Sequence, residues 1–130
     1  MLLRLIILFA SCQALTGWAD EPDPASFRID GNAGSGQLIY RTYCLTCHGE
    51  TGAGDGPSGK RLRPRPYDLS NVTNMAGVTD WTIYMAIKEG GQRVGKSVLM
   101  TSWKGLLSEQ DIQDVAAYVR TLAAPEAERE

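Results

Sequence analysis

Five consecutive residues, Cys44-Leu45-Thr46-Cys47-His48, bring two thiols and the only histidine of the chain together. C-x-x-C-H is a haem attachment pattern: each thiol can add across one vinyl group, and the adjoining imidazole is held beneath the iron as an axial ligand. Three other chemistries fit less well. A structural zinc ion wants four protein ligands, and after residue 19 the chain offers two cysteines and one histidine with no second cluster. A thioredoxin-like redox pair needs a βαβ setting, which the helical periodicity around the motif does not provide. A disulfide spanning two residues would be strained and would staple almost nothing.

An axial pair needs a second donor, and with no other histidine the candidates are Met75, Met85 and Met100. Met85 falls within a helical pattern, where methionine is usually core filler. Met75 lies in a stretch read as loop, close in sequence to His48. Met100 sits in an irregular segment ahead of the last helix. Lys60, Arg61, Arg63 and Arg65 concentrate positive charge beside Pro64 and Pro66. Such a run forms either a solvated face or a site where one arginine pairs with a haem propionate while the others steer an acidic partner. A carbonyl of Pro64 or Pro66 is a candidate acceptor for the second His48 nitrogen, and Trp103 a candidate propionate contact.

The elements that must hold these groups follow from periodicity. With 130 residues, 43% of them apolar, the chain has the size of one small domain. A net charge of −2 leaves no basic footprint for nucleic acid, and no run of about 18 apolar residues could span a bilayer. Residues 1–19 read as a secretory signal: Arg4 precedes an apolar block, and Gly17-Trp18-Ala19 presents small residues for cleavage. Phe9-Ala10-Ser11-Cys12 offers an alternative lipoprotein site, and a retained anchor is a third option. Residues 20–33 lack any period and predict a flexible leader. A short helix is expected from Gly34 into Cys44, and a Gly- and Pro-rich loop over 49–71. A helix capped at Thr79 should end at Gly90-Gly91, followed by an irregular stretch over 92–105. Ser108 should cap a final helix carrying Ile112, Val115, Ala116, Val119 and Leu122. Residues 124–130 form a charged tail. The fold class is all-α, with three to four helices and long loops.

Together with C-x-x-C-H, several segments between 34 and 123 resemble the bacterial members of the single-haem cytochrome c family. Gly36-Gln37-Leu38-Ile39-Tyr40 is similar to its first helix, where the glycine admits a close crossing by the last helix. Tyr118 looks like the aromatic that meets that crossing. Gly52-Ala53-Gly54-Asp55-Gly56 and Pro66-Tyr67-Asp68-Leu69 resemble its loops. Met100-Thr101-Ser102-Trp103 resembles its axial-ligand segment, departing at Thr101, where a proline commonly follows the ligand. The resemblance implies one covalent haem c, held by Cys44 and Cys47 and ligated by His48 and Met100. The role it implies is electron carriage rather than catalysis, in the periplasm. Partners would be a terminal oxidase, a cytochrome complex or a periplasmic dehydrogenase, with membrane anchoring the less favoured arrangement. The competing functions are a haem-based gas sensor and a permanent electron-entry subunit of an oxidase or dehydrogenase.

Overall fold

The computed structural model describes residues 22–124; the expected signal segment and nearly all of the charged tail lie outside them. Five α-helical segments follow in order: α1 Ala33–Tyr43, α2 Leu45–His48, α3 Val72–Ala76, α4 Asp80–Glu89 and α5 Glu109–Thr121. Short 3-10 turns occur at Gly59–Arg61 and Gly91–Val94, and the described residues contain no strand. Three of the helices carry the frame. The other two, α2 and α3, are short segments that raise the number above the expected three to four.

The frame rests on α1 crossing α5, the most extensive contact between any two elements. The Ser108 hydroxyl accepts from the Asp111 N–H, and the Asp111 carboxylate accepts from the Ser108 N–H at 3.0 Å, so that two donors at the start of α5 are satisfied reciprocally. From there Ile112, Val115, Ala116 and Val119 make one buried stripe. Burial of Ile112 and Val115 stabilises the fold by about 1.5–3 kcal/mol each. At the crossing, Gly36 lies directly against the backbone of Asp114, and any Cβ there would overlap the Asp114 carbonyl. One turn along, the rings of Tyr40 and Tyr118 meet with centroids 5.1 Å apart. The glycine and both aromatics occupy the places the sequence resemblance gave them.

The stretch expected to be a flexible leader is instead, over 22–32, a strap fastened to the frame. Phe27 packs on Trp81 and Tyr84, with centroids 5.2 and 4.7 Å away. The N–H groups of Ile29, Asp30 and Asn32 donate to the side chains of Asp80, Gln113 and Asp114, at 3.1, 3.1 and 2.8 Å. An irregular backbone satisfied by distant side chains leaves no period in its own sequence, which is why composition alone suggested mobility.

Asp80 is a junction as well as the first residue of α4. Burial alone would raise its carboxyl, but the Ile29 N–H and the Arg120 guanidinium outweigh burial and hold it below the usual aspartate range. Thr79 caps α4 by accepting from the Thr82 N–H at 3.1 Å, and the helix ends at Gly90, as expected. Trp81 and Tyr84 meet the strap, whereas Thr82, Ile83, Ala86 and Ile87 face a cavity.

Candidate cofactor site

That cavity has a volume of about 660 Å³, within the ~300–1,000 Å³ typical of small-molecule and cofactor sites. The walls come from α1, α2, the 62–69 loop, α3, α4 and the 91–103 segment, and apolar and aromatic side chains predominate.

The turn of α2 explains how the C-x-x-C-H residues share one wall. The N–H groups of Cys47 and His48 donate to the Cys44 carbonyl at 3.1 and 2.9 Å, so positions 44, 47 and 48 stand three and four residues apart on helical backbone and share one face. All three side chains line the cavity. Both cysteines are free and half-buried, and burial, with help from Cys47, pushes the Cys44 thiol up to about 12. Burial also lowers His48 below the ordinary imidazole value, with the Tyr67 backbone partly opposing it, so the ring is neutral at neutral pH. The His48 Nδ1 is buried without a hydrogen-bond partner. The Pro64 and Pro66 carbonyls, the expected acceptors, do not take it up. The Pro66 carbonyl abuts Gly54 instead, a position with φ 72° where a side chain would be strained as well as crowded.

The segment carrying Met100 forms another part of the cavity wall. The Gly91 N–H donates to the Met100 carbonyl at 2.9 Å, and the Met100 N–H to the Ser97 carbonyl at 3.2 Å. The Trp103 N–H reaches the Ile87 carbonyl at 3.1 Å, and the Ser102 hydroxyl the Lys88 carbonyl at 2.6 Å. Three of these bonds dock the segment on the last turn of α4 and the glycines beyond it, and the fourth is internal to the segment. Trp103 also meets Tyr43 of α1, with ring centroids 5.6 Å apart, joining the thiol wall to the methionine wall.

Of the three methionines, Met85 is buried in the core and does not line the cavity, in keeping with its reading as core filler. Met100 and Met75 both line it. Met75 is not in a loop but on α3, a five-residue helix capped by the Asn71 side chain. The sequence signal for α3 was the Asn71 cap alone, with too few residues after it to show a period. Among the four clustered basic residues only Arg65 lines the cavity, and Trp103 lines it too.

Apolar walls, two unpaired thiols and a half-buried neutral imidazole suit a flat, largely apolar prosthetic group that reacts with thiols and accepts an imidazole nitrogen. The described residues contain no group of three or more His, Cys, Asp or Glu side chains placed to hold a metal ion by themselves. Residues 31–119 match the family described as cytochrome c oxidase, cbb3-type, subunit III. The chain belongs to this family of c-type cytochromes. The cytochrome is 32% identical over 88 residues to cytochrome c-554(548) of Halomonas halodenitrificans, an overlap covering 68% of this chain and 93% of that protein. It is 30% identical over 94 residues to cytochrome c-554(547) of Halothiobacillus neapolitanus, covering 71% and 98%. Among solved structures it resembles a chain of the Kuenenia stuttgartiensis reducing HAO-like protein complex, with a TM-score of 0.58 and 25% identity. That match takes in 74% of this cytochrome but only 45% of the other chain. As a family member the cytochrome binds c-type haem covalently and has an electron-carrying role.

Proposed function

We propose that this cytochrome is an extracytoplasmic carrier of single electrons, with one haem joined to Cys44 and Cys47 and with His48 and Met100 as axial ligands. The observation that carries this reading is one cavity with both thiols and a neutral imidazole on one wall and a methionine on a separately docked segment. When bound, the haem supplies an iron centre that changes charge by one unit without any bond to substrate being made or broken. The protein's part is to keep both axial positions filled and water out. His48 is neutral and so has a lone pair for the metal, and the bonds from Gly91 and to Ser97 hold the backbone of Met100 in place. A thioether opposite an imidazole favours the ferrous state and raises the potential. Met75 lines the same cavity but belongs to the buried core cluster, and its role is packing. Arg65, at the cavity wall, is placed for a propionate.

Export rests on the signal pattern of residues 1–19, and redox partners on the electron-carrying role; a terminal oxidase, a cytochrome complex and a periplasmic dehydrogenase all fit. Mass spectrometry should give Asp20 as the mature N-terminus, whereas a lipidated Cys12 or an intact Met1 would make the protein membrane-bound.

Met100→Ala tests the ligand set. The variant should keep covalent haem, lose the weak methionine-to-ferric-iron band at the red end of the spectrum and bind carbon monoxide when reduced. Its midpoint should fall by on the order of 0.1 V, within the ~0.8 V range that axial ligands command. Met75→Leu should change none of these. Ready uptake of carbon monoxide by the wild-type protein would favour the gas-sensor function instead.

A further inference from the structure

The last carbonyls of a helix have no donor within the helix and must find one elsewhere. At the end of α4 the donors come from the segment that follows Met100. The Trp103 N–H reaches the Ile87 carbonyl at 3.1 Å. The Lys88 carbonyl takes two donors, the Lys104 N–H at 3.3 Å and the Ser102 hydroxyl at 2.6 Å, one for each lone pair. The same helix lends Ile83, Ala86 and Ile87 to the cavity wall. One rigid element therefore both lines the cofactor space and fixes the segment beside it.

Of these three bonds, two come from backbone N–H groups that nearly any sequence would supply. The third depends on the serine, two residues beyond Met100. Ser102 is exposed, so water can satisfy the Lys88 carbonyl in its place, but water cannot tie that carbonyl to the ligand segment. The hydroxyl is thus worth little to the fold and more to the position of residue 100. Gly90 and Gly91 form the floor on which this stretch rests. Gly90 has φ 92°, and a Cβ there would stand 2.9 Å from the Met100 carbonyl oxygen and 3.2 Å from the Ser102 nitrogen. A Cβ on Gly91 would overlap the Ser97 carbonyl and stand 3.1 Å from the Met100 Cβ.

We propose that Ser102 is a positioning residue for the axial thioether: it pins the Met100 segment to the end of α4, against the Gly90-Gly91 floor, and so sets how firmly that axial position is kept filled. The inference rests on the His48 and Met100 reading and adds what holds the methionine in place. A thioether is a weak, uncharged donor. Its retention therefore depends on how little the segment carrying it can move.

Displacement by imidazole in the ferric holoprotein tests this. Imidazole binds only where Met100 has left, so its apparent affinity scales with the fraction of molecules in which the thioether is off, and loss of the methionine-to-ferric-iron band reports it. Ser102→Ala should raise that affinity about two- to tenfold, the range of one lost hydrogen bond, with haem staining and the denaturant midpoint close to wild type. Ser102→Thr, which keeps the hydroxyl, should behave as wild type. Gly91→Ala, which displaces the floor, should weaken the band before any imidazole is added. Asp80→Asn loosens the strap and lowers stability without touching this seat, and should keep the wild-type affinity. An unchanged affinity in Ser102→Ala, an equal rise in Ser102→Thr or in Asp80→Asn, or a wild-type band in Gly91→Ala overturns the proposal and leaves Met100 as the ligand. A wild-type holoprotein that lacks the band, or that takes up imidazole without losing it, removes the Met100 reading and the positioning role with it.

Discussion

The α1/α5 crossing and the loops around the cavity are held by different means. At the crossing, buried aliphatics, a ring pair and a glycine pressed on backbone make a junction that protein atoms complete alone. The 49–71 loop and the 91–107 segment have turn-forming sequences and scattered backbone bonds, and both enclose a space the polypeptide does not fill. The helical frame is thus specified by packing, whereas the loops are specified jointly by the chain and the group inside them. A domain of this size has little core to spare, and a covalent prosthetic group completes it.

The largest test of that contrast is to remove both thiols. Cys44→Ala with Cys47→Ala should abolish haem staining on denaturing gels. Amide exchange should become fast first in 49–71 and 91–107, with α1 and α5 the last to lose protection. A normal covalent haem signal would rule out the assigned thiols.

Next in size is Gly36→Ala, which attacks the frame and leaves the haem linkage alone. A Cβ against the Asp114 backbone forces the helices apart at a cost of about 3 kcal/mol, readable by denaturant unfolding of the holoprotein. Haem staining should stay normal, so the two variants separate the two kinds of order.

Asp80→Asn is a smaller perturbation, on the strap. Losing the charged partner of Arg120 and weakening the acceptor for the Ile29 N–H should cost about 1–2 kcal/mol at pH 7. The folded-state value of Asp80 lies below its ordinary 3.8, so the native protein binds fewer protons than the unfolded chain. The contribution is fully present above that ordinary value and disappears as pH falls through the lower, folded one. Wild type and variant should therefore converge in strong acid.

How much of this was legible in the sequence follows the same division. C-x-x-C-H located one wall of the site, and the Ser108 cap and apolar stripe located α5, because haem spacing and helical period are local properties of a few residues. The strap was missed because its partners lie more than 50 positions away, at Asp80, Gln113 and Asp114. The turn of α3 was missed because five residues are too few to show a period, and Met75 was therefore placed in a loop rather than on the cavity wall. The bond expected from His48 to the Pro64 or Pro66 carbonyl is not formed, its Nδ1 being buried without a hydrogen-bond partner. Met85, set within a clear helical pattern, was correctly read as packing.

The contact between Gly36 and Asp114 also has a consequence in time. The first helix finds its principal partner only after α5 has been made, so the frame cannot close until residues 109–121 have been synthesised. At roughly 5–20 residues per second, the stretch between the thiols and α5 takes on the order of ten seconds to appear. Throughout that interval the C-x-x-C-H segment has no closed core around it. The arrangement that buries the site most securely in the finished protein is also the one that leaves it open longest to the chemistry of attachment.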